Sequence, residues 1–380
     1  MRIINLWRSF RKSRANYVPQ VRVLVSQSHL LHNLAEYRRR YPQLALAPVL
    51  KSNAYGHGLV LTGQLLDRAN VPFLVVDSLF EAVALRHNGV KSPILVIGYV
   101  NVDNVQKCKL NKVVFTLTSL EQLRGIAARL NHPQEFHLKI DTGMHRQGLS
   151  PGQLTEAIQI IRQQEFIQLV GVCSHLADAD GADDQLTRQQ IAVWNQAVDQ
   201  LKQNFTSLRW IHLSATSGLD YLDVAQGNAA RLGIGLYGIN VSPRLAMNLK
   251  PALQLQTEVS SIRTLEAGDR VGYNGTFRAE KEMRVATVPV GYFEGVDRRL
   301  SNTGCFMVKD KCCPIVGRVS MNITSIDVSA VPEINLGEAV TIISNVPGDQ
   351  NSVENIAKAA GTIPYEILVH IPQHLRRIVV

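Results

Sequence analysis

Leu44-Ala45-Leu46-Ala47-Pro48-Val49-Leu50-Lys51-Ser52-Asn53-Ala54-Tyr55-Gly56-His57-Gly58 is an apolar run that ends on a single lysine and a glycine-containing turn. Leu44–Leu50 reads as a short buried strand, bounded by the turn signal at Gly56 and Gly58. A lysine at the end of such a strand is costly unless it is paired or covalently used. Desolvation lowers its pKa and frees the amine as a nucleophile or Schiff-base former. The stretch therefore points to a lysine bound to a carbonyl cofactor. Taken alone, a strand-end lysine is more often an ordinary surface residue, so the rest of the chain has to decide.

The strand–helix alternation begun there continues. Further strand candidates are Pro72–Asp77, Pro93–Tyr99, Val113–Leu117, Phe136–Asp141, Gln168–His175, Trp210–Ser214 and Ala230–Ile234. Helical patterns lie between them at Glu81–His87, Glu121–Leu130, Gln153–Gln163 and Gln185–Gln203. Strands alternating with helices give a parallel α/β architecture. Eight units over about 200 residues suit a (β/α)8 TIM barrel. An open doubly wound sheet competes, but no G-x-G-x-x-G follows the first strand. After about Asn240 the texture becomes β-rich. Leu253–Leu265, Met283–Val290, Cys305–Val308, Ile323–Val328 and Ala339–Ile343 read as strands, with one late helix from Ser352 to Ala360 stopped by Gly361. The expected organisation is a basic extension over 1–20, a barrel over 21–245 and a β-rich C-terminal domain over 246–380. Val21–Val25 precedes the barrel and is assigned to the β domain, because a closed barrel has no edge to take it.

Composition narrows the function. The chain has 380 residues, 46% of them apolar, and a net charge of +9. Residues 1–40 contain nine Lys/Arg and one acid, Glu36, so the remaining 340 residues carry 9 − 8 = +1. The body is nearly neutral and nucleic-acid binding is not inferred. Ile3, Trp7 and Phe10 could share a helix face among the basic residues 1–16, as an interface strap or a membrane or partner contact. No apolar run is long enough to span a bilayer. Five cysteines show neither a disulfide framework nor metal-ligand spacing, so a reducing, cytoplasmic setting without a metal site is expected.

Barrel sites form at the C-terminal ends of strands. Lys51 closes the first strand, Lys139 and Asp141 the fifth, and His175 the sixth. Thr216 follows the seventh, and Arg231 lies on the eighth ahead of Gly233 and Ile234. Singly, Lys139 and Asp141 could be an ion pair and His175 a core histidine; together they converge on one face.

The chain resembles the alanine racemase family. The resemblance rests on Lys51-Ser52-Asn53-Ala54-Tyr55-Gly56-His57-Gly58, Lys139-Ile140-Asp141-Thr142-Gly143-Met144-His145-Arg146, Arg231-Leu232-Gly233-Ile234, Val271-Gly272-Tyr273, Gly317-Arg318-Val319-Ser320-Met321 and Thr362-Ile363-Pro364-Tyr365-Glu366, in order from about Tyr17 onward. It implies a pyridoxal 5'-phosphate enzyme interconverting L- and D-alanine, with D-alanine destined for peptidoglycan. By the same resemblance, Lys51 binds the cofactor. Tyr55, Thr216, Tyr365 and the Gly233 and Ile234 N–H groups hold its phosphate, and Arg231 faces its ring nitrogen beside His175. Lys51 and Tyr273 act as the two acid/base groups, with Tyr273 and Met321 supplied by the partner of a homodimer. Arg146 and Met321 hold the substrate, with Asn322 and Tyr292 nearby. Lys139, Asp141 and His212 stand behind.

Several positions depart from the family pattern. Asn322 stands where the family usually has Asp, His145 where it has Gly, and Thr216 where Ser is frequent. Phe293, Glu294 and Asp297 differ from the common Gly-Tyr-Ala-Asp-Gly-Tyr-Pro-Arg. These changes leave open a racemase for serine, or one of broad specificity. A non-catalytic binder of the cofactor would resemble the barrel alone, so Tyr273 and the β domain weigh against it.

Overall fold

The computed structural model describes residues 18–242 and 244–380. The proposed contact face at Ile3, Trp7 and Phe10 lies outside the described residues.

Eight parallel strands form the barrel: β1 (Ala45–Pro48), β2 (Leu74–Val76), β3 (Ile94–Val96), β4 (Val113–Leu117), β5 (Gln134–Lys139), β6 (Ile167–Cys173), β7 (Trp210–His212) and β8 (Ala229–Leu232). β2 to β7 pair consecutively in one sheet and β1 pairs with β8. The ring closes at two joints. A parallel bridge links Val49 to Val75. On the other side, Asn228 N–H donates to the Ile211 carbonyl at 3.0 Å and Arg231 N–H to the Ser214 carbonyl at 3.0 Å. Most of the strands are short, apolar and buried on both faces, as a helix-covered parallel sheet requires; β5, with Gln134, Glu135, His137 and Lys139, is the polar exception. Side-chain caps set several of the outer helices: Ser78 and Glu81 form a reciprocal capping box on Leu79–His87, and Ser119 caps Leu120–Arg129.

Arg22–Val25 joins the other domain. It pairs antiparallel with Leu253–Glu258 and parallel with Arg376–Val379, at one end of a six-stranded sheet. A three-stranded sheet of Ser261–Leu265, Met283–Val288 and Thr324–Asp327 lies beside it. The apolar run 253–265 is therefore two strands. Val259 N–H donates to the Glu338 carbonyl and Ser260 N–H to that of Thr287, so the chain changes sheets between these residues. The late helix spans Val353–Ala360, with Ser352 as its N-cap and Gly361 in the left-handed region at φ 65°. The sequence reading omitted the helix Pro364–Val369 and the strands Lys311–Pro314 and Arg376–Val379.

The cysteine reading needs correction, because Cys305 pairs with Cys312 in a disulfide. The two belong to the hairpin of Cys305–Val308 and Lys311–Pro314, where Met307 faces Cys312 and Cys305 faces Pro314. The cysteines are diagonal neighbours on one face, while Cys313 alternates to the buried side. Among the described residues, no helix is long and apolar enough to cross a membrane.

Candidate active site

Lys51 is held by an uncommon piece of backbone. Ser52, Asn53, Ala54 and Tyr55 all have φ between 50° and 57°. One such L-residue costs roughly 1–2 kcal/mol, so a left-handed turn of this length persists only when its surroundings fix it. Three contacts do so. The Glu81 carboxylate accepts the Ser52 N–H at 2.7 Å, and also the N–H groups of Asp77 at 2.8 Å and Ser78 at 3.2 Å. Asn53 Oδ1 accepts the Leu59 N–H at 2.9 Å. From the second domain, Arg377 donates twice to the Gly56 carbonyl, at 3.1 and 2.9 Å, and its other N–H groups reach the carbonyls of Ile371, Pro372 and Leu375. Gly56 itself admits no side chain, since a Cβ there would lie 2.1 Å from the Leu368 carbonyl oxygen.

The turn delivers Lys51 and Tyr55 to a cavity at the barrel mouth. One lobe, of about 450 Å³, is lined by Lys51, Tyr55, His175, Thr216, Gly233, Ile234 and Tyr365 among others. The second, of about 80 Å³, adds Lys139, Cys173, Arg146 and Arg231. Lys51, Tyr55, His175 and Gly233 border both lobes. Four cationic side chains thus meet where the second lobe has no carboxylate lining it. Burial lowers the pKa of Lys51, the Asp77 charge opposes this, and the Arg146 and Arg231 charges lower it further. Lys139 is also lowered, first by burial, with Cys173 opposing and Arg231 and Arg146 adding to the shift. An anionic ligand suits such a cavity, and a buried amine with a lowered pKa suits attack on a carbonyl.

Arg231 is fixed from behind. Its Nη1 lies 2.6 Å from His212 Nδ1 and donates to the His212 carbonyl, while Nη2 donates to the carbonyls of Ser174 and Leu213 and lies 3.3 Å from His175 Nδ1. Its Nε has no protein acceptor among the described residues. His212 Nε2 in turn lies 2.7 Å from His137 Nδ1. Burial and the Arg231 charge push His137 and His175 down to about 3, and His212 also falls well below its ordinary value. The rings are therefore neutral. His212 must accept at Nδ1 and donate from Nε2 to His137, which fixes both tautomers. Gly171 leaves room for this pair, because a Cβ there would lie 2.6 Å from the His137 ring.

Thr216 Oγ1 accepts the N–H groups of Gly233 at 3.2 Å and Gly235 at 3.4 Å, so it shapes the 3-10 turn that Ile234 opens. Tyr55 and Tyr365 stand with ring centroids 6.0 Å apart. Burial raises both phenols, Tyr365 to about 12, so both remain neutral donors. Asp141 points into its own loop and accepts the N–H groups of Gly143, Met144 and His145 at 3.0–3.1 Å. His145 sits at φ 54°, a conformation glycine adopts without cost.

A single chain does not bring the other expected residues here. Tyr273, Met321 and Tyr292 lie on second-domain loops and line neither lobe. They are 69%, 56% and 44% exposed, although all three are large and mostly apolar. The Asn322 side chain is bound to Glu294. Sequence reasoning did not identify Glu81, Arg377 or His137 as site residues. Only Glu81 had a local signal, the Ser78-x-x-Glu81 capping box.

Comparison with known proteins agrees with this geometry. The family description "Alanine racemase, N-terminal domain" matches residues 25–241, and "Alanine racemase, C-terminal domain" matches residues 252–379. The chain belongs to the alanine racemase family. An alanine racemase of Sorangium cellulosum is 34% identical over 373 residues, covering 94% of this chain and 98% of that protein. One from Methanococcus maripaludis is 32% identical, covering 93% and 97%. The alanine racemase of Bacillus anthracis, solved with bound L-Ala-P, superposes with a TM-score of 0.88 at 29% identity and covers 96% of each chain. That of E. faecalis gives the same TM-score at 29% identity over 96% of this chain and 99% of its own. Alanine racemases are isomerases that depend on pyridoxal phosphate.

Proposed function

We propose that this chain interconverts L- and D-alanine with pyridoxal 5'-phosphate, as a homodimer whose two copies share each site. The observation that carries this reading is the barrel-mouth cavity in which Lys51, Lys139, Arg146 and Arg231 converge.

The residues suit the cofactor chemically. A buried amine with a lowered pKa can bond to a carbonyl. The Tyr55, Thr216 and Tyr365 hydroxyls and the Ile234 N–H offer neutral donors for a phosphate, and Gly233, whose own N–H is held by Thr216, shapes the turn that presents them. Arg231 Nε has a proton to give to a ring nitrogen, and a guanidinium does not surrender it. When bound, the cofactor supplies an electron sink that acidifies the substrate Cα–H bond. Lys51 then takes or returns a proton on one face of Cα. Tyr273 of a second copy does the same on the opposite face. Arg146 holds the substrate carboxylate, with the Met321 backbone of the second copy beside it. Lys139 stands behind Arg146 and Asp141 shapes their loop. The neutral His175, tied to Arg231, borders the cofactor without adding charge. D-alanine made this way would serve peptidoglycan synthesis.

The test is a racemisation screen over L-amino acids with chiral product analysis. Alanine should be the preferred substrate; conversion of serine alone would move the substrate assignment, and no conversion at all would defeat it. Sharing of sites is tested by mixing Lys51→Ala and Tyr273→Phe chains, each inactive or strongly impaired alone. Exchange into mixed dimers should restore about a quarter of wild-type activity, because half of the dimers would carry one intact site of two. No recovery on mixing, with exchange verified by mass, would show that Tyr273 does not act across the dimer.

A further inference from the structure

Asn322 and Glu294 are both departures from the family pattern, and the structure joins them. Asn322 Nδ2 donates to Glu294 Oε1 at 2.7 Å. Glu294 is buried, and its other oxygen accepts the Gly291 N–H at 2.9 Å. Around this pair, two loops are strapped together backbone to backbone. Tyr292 N–H donates to the Ser320 carbonyl at 3.0 Å and Phe293 N–H to the Met321 carbonyl at 2.9 Å. Gly291 is pressed so closely that a Cβ would lie 2.2 Å from the Ser320 oxygen.

We infer that Asn322 is a positioning residue, whose amide fastens the Met321 loop to the Tyr292 loop through Glu294 and thereby sets the substrate side of the site. This rests on the reading that Met321 and Tyr292 serve a second copy's Lys51. Two chemical points support it. An Asn side chain offers both a donor and an acceptor, whereas an ionised Asp offers acceptors only. Beside the Glu294 carboxylate, an aspartate in place of Asn322 would set two like charges at hydrogen-bond distance. The longer Glu arm and the neutral Asn therefore form a matched pair. With its amide committed to Glu294, Asn322 acts on substrate through loop position rather than by reading substrate charge.

The experiment is a four-chain cycle of wild type, Asn322→Asp, Glu294→Gln and the double variant, each assayed for kcat and KM with alanine. Asn322→Asp should raise KM about tenfold, the scale of one lost charge-assisted hydrogen bond, with a much smaller change in kcat. The double variant should return KM to within about threefold of wild type, because the introduced glutamine can accept from Gly291 and donate to the introduced aspartate. A KM unaffected by Asn322→Asp, or a double variant no better than Asn322→Asp, overturns the inference. If Asn322→Asp does not fold, Asn322→Ala removes the donor without adding charge; it must raise KM likewise, and an unchanged KM overturns the inference. Absence of racemisation by wild type would instead sink the functional reading. The latch is then judged by urea midpoints of the same four chains, where additive effects of the two substitutions count against it and a rescued midpoint in the double variant supports it.

Discussion

Replacing Glu81 with glutamine should release the turn that carries Lys51. The carboxylate accepts three backbone N–H groups from two strand ends, those of Ser52, Asp77 and Ser78. A glutamine carbonyl can serve one side only, and its NH2 then faces a donor on the other. One lost charge-assisted bond at roughly 1.5–3 kcal/mol and one buried N–H left unpaired at roughly 1–3 kcal/mol give a cost of about 2.5–6 kcal/mol. Against this stand four consecutive left-handed residues, which store about 4–8 kcal/mol at the usual cost per residue. The restraint removed is thus comparable to the strain it opposes, and the Ser52 end should let go. Urea unfolding of the variant should show a lower midpoint. Hydrogen exchange should show loss of protection concentrated at residues 52–58, and, under the proposed function, the protein loaded with pyridoxal phosphate should lose the absorbance of a cofactor bound to Lys51. A variant within about 1 kcal/mol of wild type, with residues 52–58 still protected, would refute the argument, since a loss that small is less than one buried unpaired donor.

Two further outcomes follow from the same framework. Arg377→Met removes every donor that Arg377 gives to Gly56 and to residues 371–375, and should lower stability by about 2–4 kcal/mol by urea titration, with exchange accelerated at Gly56–Gly58. An unchanged midpoint would remove Arg377 from the account of the turn. Acid should also destabilise the protein, because His57 and His137 are pushed down by burial to about 4 and about 3. A histidine with a lowered folded pKa contributes stability that is present above its unfolded value and lost as pH falls toward the folded value. Between pH 7 and pH 5 each should cost about 2 kcal/mol. A flat urea midpoint over that range would mean that these rings are already solvated or charged.

The barrel was legible because most of its strands are short apolar runs and the mouth residues lie on the ends of strands or just beyond them. Lys51, His175 and Arg231 were found this way. What supports them was not legible. Glu81 announces itself in sequence as a helix cap, yet its other oxygen serves a residue 29 positions away. His137 shares a face of β5 with Lys139 and reads as an ordinary strand position, although it closes the chain of rings behind Arg231. The Cys305–Cys312 pair was missed because diagonal neighbours in a hairpin leave no spacing signature. Asn322 could be seen as a departure but not explained, because its partner Glu294 lies on another loop.

The Arg377–Gly56 contact also bears on biosynthesis. The two residues are 321 positions apart. At a synthesis rate of roughly 10 residues per second, the turn bearing Lys51 waits on the order of half a minute for the guanidinium that closes it. Strand Arg22–Val25 waits as long for its parallel neighbour Arg376–Val379. During that interval the nascent barrel carries Lys51 on an unlatched turn, so a segment made more than 300 residues later completes the first loop of the candidate site.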